Sequence, residues 1–174
     1  PNNMGGGYRN YIDIDSVIDW YLVNEIGKNN DADFHSSVYL CFDPVMHKFR
    51  MGPVWDFDIA FGNIDYTECQ YPSGLWVNKS LWFSRFFEDA LFKKQLKERW
   101  NEKKPELETI FYFIDKRASY LDTPQKYNFK KWKIMNKKVW PNPQSAGNYR
   151  GEVDYLKTWL RERIDWLDAE FNSY

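Results

Sequence analysis

The sequence predicts a mainly helical α+β domain carrying one small β-hairpin, and three observations point there. Apolar residues recur at helical spacing near the start and again through everything from Lys79 onward. Between these stretches lie two short runs rich in β-formers, separated by turn residues. The 174 residues, 43% of them hydrophobic, suffice for a single domain with a real core.

Taken in order, residues 1–10 are rich in Gly and Asn and read as a flexible entry. Asp15-Ser16 opens a helix with Asp15 as its N-cap, and Val17, Ile18, Tyr21, Leu22 and Ile26 form its apolar face. Gly27 and Asn29-Asn30 end it, and a polar loop runs from Asn29 to Ser36. Ser37 to Phe42 reads as a strand, Asp43-Pro44-Val45-Met46-His47 as a turn, and Lys48 to Met51 with Pro53-Val54 as the return strand. The stretch from Asn63 to about Asn78 is polar and irregular. Leu81, Trp82, Phe86 and Ala90, then Phe92, Leu96 and Trp100, mark two helices or one broken one. Pro105 suits the first turn of a new helix, with Leu107, Ile110, Phe111, Ile114, Ala118 and Leu121 on its face. A Lys- and aromatic-rich segment covers 123–140; the favoured form is an amphipathic helix with aromatics inward and Lys solvated, and the alternative is a surface in which Lys126 to Lys138 with Tyr127, Phe129, Trp132 and Trp140 binds an acidic protein or a polyanion. Val153, Leu156, Leu160, Ile164, Leu167 and Phe171 define a last amphipathic helix.

Composition excludes several functions. A net charge of −1 gives no global case for nucleic acid or a membrane surface, and no apolar run is long enough to span a bilayer. The charge is unevenly spread: residues 1–87 hold 6 Lys/Arg against 11 Asp/Glu, and residues 88–174 hold 18 against 14. Cys41 and Cys69 allow at most one disulfide, and Cys41, in an apolar run, is expected to be a buried thiol. His35 and His47 do not cluster with Cys at zinc-ligand spacing, and no Ser-His-Asp arrangement can be argued.

The chemistry concentrates in Trp55-Asp56-Phe57-Asp58. In an extended segment, residues two apart share a face, so Asp56 and Asp58 converge as oxygen ligands for a divalent cation. The plainer reading is a strand end with two solvated aspartates. A hairpin brings its two ends together, which places Asp31 and Asp33 of the preceding loop near Asp56 and Asp58. Four carboxylates with no nearby Lys or Arg persist together if a cation neutralises them or if some are exposed. The order helix, acidic loop, hairpin, aspartate matches kinase-like phosphotransferases, where one Asp orients the acceptor hydroxyl and a later one holds magnesium. Protein kinases place a metal-binding Asn five residues after the first Asp; here that residue is Ser36, a weaker oxygen ligand.

Tyr11 to Glu25, Asn30-Asp31, and Met51-Gly52-Pro53-Val54-Trp55-Asp56-Phe57-Asp58-Ile59-Ala60-Phe61-Gly62 closely resemble the CotH kinase family, the spore-coat-protein-H-like atypical kinases. Leu91 to Trp100 and Leu156 to Leu167 look like that family's C-terminal part. The resemblance implies transfer of phosphate from ATP, with Mg2+, to Ser or Thr of a protein substrate at an extracytoplasmic surface or spore coat. By position, Asp31 matches the catalytic Asp, with Asp33 an open alternative. Asp56 and Asp58 match the metal site, with their order of importance open. Asn24, Glu25, Asn30, Ser36 and Asn63 are secondary candidates for orienting the loop or touching phosphate. The resemblance further implies that these residues form a C-terminal lobe, whose N-terminal ATP-binding part is absent from this chain. Gly5-Gly6-Gly7 follows no strand and is not a phosphate-binding loop, so tight ATP binding by this chain alone is not expected.

A second class stays open beside the kinase: a cell-surface module binding carbohydrate or protein, with an acidic Ca2+ site. Trp55, Trp76 and Trp82 around the carboxylates would then stack on sugar faces. A glycosidase fits poorly, because adjacent aspartates do not place two carboxyl groups on opposite sides of a sugar.

Overall fold

The structure, a computed structural model, describes residues 7–33 and 37–174. It is mainly helical, with one two-stranded antiparallel sheet. Its centre is α1 (Ile14–Gly27), which is buried on nearly every side. The cap is Asp13 rather than Asp15, its carboxylate accepting from the Ser16 N–H at 3.5 Å. Asp15 instead lies exposed in the first turn, where its charge suits the helix dipole. The helix ends on Lys28, in the left-handed conformation at φ 46°.

The hairpin pairs β1 (Leu40–Asp43) with β2 (Lys48–Met51), Leu40 opposite Met51 and Asp43 opposite Lys48. Its turn is built by Asp43, whose Oδ1 accepts from the Val45 and Met46 N–H groups at 2.8 and 3.0 Å. Asp13 ties the hairpin to α1: its carboxylate pairs with Arg50 at 3.0 Å, and its N–H donates to the Phe49 carbonyl at 2.8 Å. Cys41 is exposed on β1, contrary to expectation, because its neighbour Leu40 packs against the core and alternation along the strand turns Cys41 to the opposite face. Cys69 is the buried thiol, and burial pushes it up to about 11.

A short α2 (Leu81–Phe86) precedes α3 (Ala90–Tyr120), so the two-helix option holds for this stretch. The expected new helix at Pro105 does not occur; α3 runs straight through it. Pro105 removes the hydrogen bond to the Asn101 carbonyl, but both residues are exposed and water can reach the freed oxygen. Just before Pro105, α3 is stapled to α5 (Tyr149–Asn172): Lys104 pairs with Asp168 at 2.6 Å and the Trp100 indole donates to Asp168 at 2.9 Å. Phe92, Leu96, Trp100 and Phe111 of α3 join Leu160, Ile164, Leu167 and Phe171 of α5 and the α1 residues Val17, Ile18 and Tyr21 in one core. Tertiary packing outweighs a local cost of about 3 kcal/mol.

The Lys-rich segment forms α4 (Asp122–Lys131) and an irregular return to α5. No residue of α4 is buried, and Tyr127, Trp132 and Trp140 are exposed. The expectation of aromatics packed inward is therefore wrong. Tyr127 and Trp132 stand in solvent, and Trp140 meets one ring, Tyr66, with centroids 5.7 Å apart.

Candidate active site

The polar end of α1 builds the site. Asn24 and Asn29 are both buried, and their amides form a chain: Asn24 Nδ2 donates to the Trp20 carbonyl at 3.0 Å and Asn29 Nδ2 donates to Asn24 Oδ1 at 3.1 Å. Asn29 Oδ1 then accepts from the Asp31 backbone N–H at 3.2 Å. Asn30 Nδ2 donates to Asp31 Oδ1 at 3.1 Å, and its own Oδ1 accepts from Thr67 at 3.2 Å. Among the described residues, Asp31 Oδ2 makes no hydrogen bond, and the side chain is half-buried. Asp31 is thus held by one oxygen and offers the other. Asp33 is half-buried beyond the fully buried Ala32. Ser36 and His35 lie outside the described residues.

Glu25 sits at the bottom of this end and faces inward. Its carboxylate pairs with Arg163 at 2.7 Å, both side chains fully buried, and also accepts from the Trp76 and Val77 N–H groups at 2.8 and 2.9 Å. Arg163 donates further to the Glu25, Pro72 and Gly74 carbonyls. Lys28 is buried beside them and donates to the Glu68, Tyr71 and Ser73 carbonyls at 2.7, 3.0 and 2.6 Å. Burial pushes this ammonium down to about 8. Two buried cations and one carboxylate therefore organise the whole loop from Glu68 to Val77. That loop in turn braces the site, the Trp76 indole donating to the Asn30 carbonyl at 3.2 Å.

The second half of the site follows the hairpin. Residues 52–57 are irregular rather than a strand, and Asp56 itself is left-handed at φ 63°. Two aromatic residues dock this segment on α1. Phe57 and Phe61 lie against Gly27, where an added Cβ would meet the Phe57 ring at 3.1 Å, and Phe61 N–H donates to the Gly27 carbonyl at 2.7 Å. Gly62, at φ 77°, sits directly on the Trp159 indole with no room for a Cβ. Asn63 Nδ2 donates to the Asp58 carbonyl at 2.7 Å. With Phe57 turned to α1, Asp56 and Asp58 on either side of it are exposed.

Their carboxyl groups meet. Asp56 is held above the usual aspartate range, first by a hydrogen bond with Asp58, then by the Asp58 charge, partial loss of water and the Asp31 charge. Among the described residues, no Lys or Arg acts on it. Asp31, Asp56 and Asp58 therefore belong to one acidic neighbourhood, as the hairpin argument suggests for Asp31, but the extended segment expected to pair Asp56 with Asp58 is absent. Left-handed backbone at Asp56, costing about 1–2 kcal/mol, contributes to it without an extended strand. Among the described residues no group of three His, Cys, Asp or Glu is placed to hold a metal ion. A narrow cleft lined by Trp20, Asn29, Asp31, Val38 and Trp55 opens beside Asp31.

Sequence reasoning missed Asn29, Lys28 and Arg163. A signal existed for Arg163, which lies at the apolar spacing of Leu160 and Leu167 in α5 and so had to be buried with a partner. Nothing in the local pattern marked Asn29 or Lys28.

No match exists among curated proteins or solved structures at a meaningful level of similarity. The family model described as CotH kinase protein matches residues 1–167. With an acidic loop, hairpin and aspartate pair all inside the matched span, this chain belongs to the CotH kinase family.

Proposed function

We propose that this chain carries the acceptor-orienting and metal-binding residues of a phosphotransferase that moves the γ-phosphate of ATP to a Ser or Thr of a protein. The observation that carries this reading is the meeting of Asp56 and Asp58 within reach of the Asp31 charge, with no Lys or Arg of the described residues acting on Asp56. Mutual repulsion there is relieved by a divalent cation. Two hard carboxylates fit Mg2+, which binds one or two protein carboxylates and completes its shell with water and phosphate oxygens. They fit Ca2+ less well, since it takes six to eight oxygens and usually a fuller protein cage.

Asp56 and Asp58 would hold the metal, which neutralises charge on the phosphates during transfer. Asp31, fixed by Asn29 and Asn30, presents Oδ2 to the acceptor hydroxyl and accepts its proton. As the hydroxyl oxygen bonds to the γ-phosphorus, the bond to the bridging oxygen breaks and ADP leaves. Asn24 acts through Asn29, and Asn63 through the Asp58 backbone, as positioning residues. Glu25 orients the loop at Trp76-Val77, both oxygens being engaged there. The N-terminal ATP-binding part of the family remains a partner in this proposal.

The carbohydrate-module reading gains less. Trp76 spends its indole N–H on Asn30, and Trp82 lies in a separate apolar groove with Tyr8, Ile12 and Phe86. Of these three tryptophans, Trp55 is the one that borders the cleft beside Asp31. The test uses the full-length protein, with the family's N-terminal ATP-binding part present, and compares wild type with Asp56→Ala and Asp31→Ala for phosphate transfer from ATP with Mg2+. Loss in both supports the assignment, and wild-type transfer in both overturns it.

A further inference from the structure

We infer that the arm formed by α4 and the return segment to Trp140 docks an Asp/Glu-rich stretch of the acceptor polypeptide. Residues 123–140 contain six Lys and no Asp or Glu. All six are exposed, and Lys130, Lys131, Lys133 and Lys137 make no ion pair among the described residues. Lys94, Lys103 and Lys104, in the first half of α3, show the ordinary alternative: each is matched by a carboxylate of its own helix or of α5. The arm also holds its rings outward, with Tyr127 72%, Trp132 57% and Trp140 71% exposed. Lys131 lies over the Trp132 ring at 5.1 Å. Uncompensated lysines beside open aromatic rings attract an anionic chain and give it apolar surface to rest on.

The root of the arm fixes which anionic chain this is. Trp140 stacks on Tyr66 with ring centroids 5.7 Å apart, and Lys138 pairs with Asp65 at 2.9 Å. The next residue, Thr67, donates to Asn30, which donates to Asp31. A chain lying along the arm is therefore led to the loop that presents Asp31. The acidic site repels a polyanion of uniform charge such as nucleic acid. A peptide carries its acidic stretch on the arm and an uncharged Ser or Thr at the site. The identity of the occupant as acceptor rests on the phosphotransfer reading; the binding surface itself does not.

Fluorescence anisotropy without ATP tests the surface, using a labelled peptide with one Ser and an Asp/Glu run, and its Asn/Gln counterpart. The acidic peptide is expected to bind at least about tenfold tighter than the neutral one at low salt. The combined substitution Lys130→Glu, Lys131→Glu, Lys133→Glu is expected to abolish that preference. Lys94→Glu with Lys103→Glu, and separately Asp56→Ala, are expected to retain it. Equal binding of the two peptides, or an unchanged preference in the triple variant, overturns the proposal. So does tighter binding of a single-stranded oligonucleotide or of phosphatidylserine vesicles. Retained acidic-peptide binding with no phosphate transfer by a protein that also carries the family's N-terminal ATP-binding part would sink the catalytic reading and leave the docking surface standing.

Discussion

Two clusters of charge lie at the same end of α1, and they are built on opposite terms. Glu25, Arg163 and Lys28 are fully buried, and every one of their charged groups is matched by a partner or by backbone carbonyls. Asp31, Asp56 and Asp58 are half-buried or exposed, and they meet like charge with like. A buried cluster that is completely satisfied is finished structurally, and its loss costs stability. One left repelling at the surface is finished only when something positive arrives, and its loss should cost binding. The first cluster holds still the Glu68–Val77 loop, which braces Asn30 beside Asp31.

The largest effect expected is on the buried cluster. Arg163→Met leaves the Glu25 carboxylate buried without its partner and should destabilise by about 3–5 kcal/mol in denaturant unfolding. A loss below about 1 kcal/mol would show that Glu25 finds water or protonates at little cost. Gly62→Ala comes next, since it requires a left-handed backbone and drives a methyl into Trp159. It should cost about 2 kcal/mol or more by thermal unfolding. On the acidic side the sign reverses: Asp58→Asn relieves repulsion, so the cation-free protein should be as stable as wild type or slightly more so. A clear destabilisation there would mean that Asp58 is structural and would erase the contrast.

The smallest effect is a pH dependence of an ordinary surface pair. Asp168 is held below the usual aspartate range first by Lys104, then by the Trp100 indole. Its folded form therefore holds the proton less tightly than its unfolded form. The stabilisation is present above the unfolded value and is lost as pH falls through the lower folded one. Wild type should lose stability over Asp168→Asn's own acid profile by roughly 0.5–1 kcal/mol, read from unfolding between neutral and acid pH.

Elements with strong periodicity were legible in the sequence: α1, the hairpin and α5 follow from residue spacing alone. The Asp13 cap and unbroken α3 were not, because either aspartate can cap locally and only the packing of Phe111 and Trp100 decides about Pro105. Cys41 and the α4 aromatics were misplaced for one reason. A local pattern shows which residues are apolar, not whether another layer exists to cover them. In the site, the juxtaposition of loop and aspartate pair follows from hairpin topology. The left-handed Asp56 and the Asn24–Asn29–Asp31 chain depend on contacts that no spacing rule encodes.

The central claim is that Asp56 and Asp58 hold a divalent cation, and Mn2+ binding read by electron paramagnetic resonance tests it most directly. Wild type should bind one Mn2+ that Mg2+ displaces, and Asp56→Asn and Asp58→Asn should each weaken it by about tenfold or more. Equal Mn2+ affinity in wild type and both variants would contradict the account.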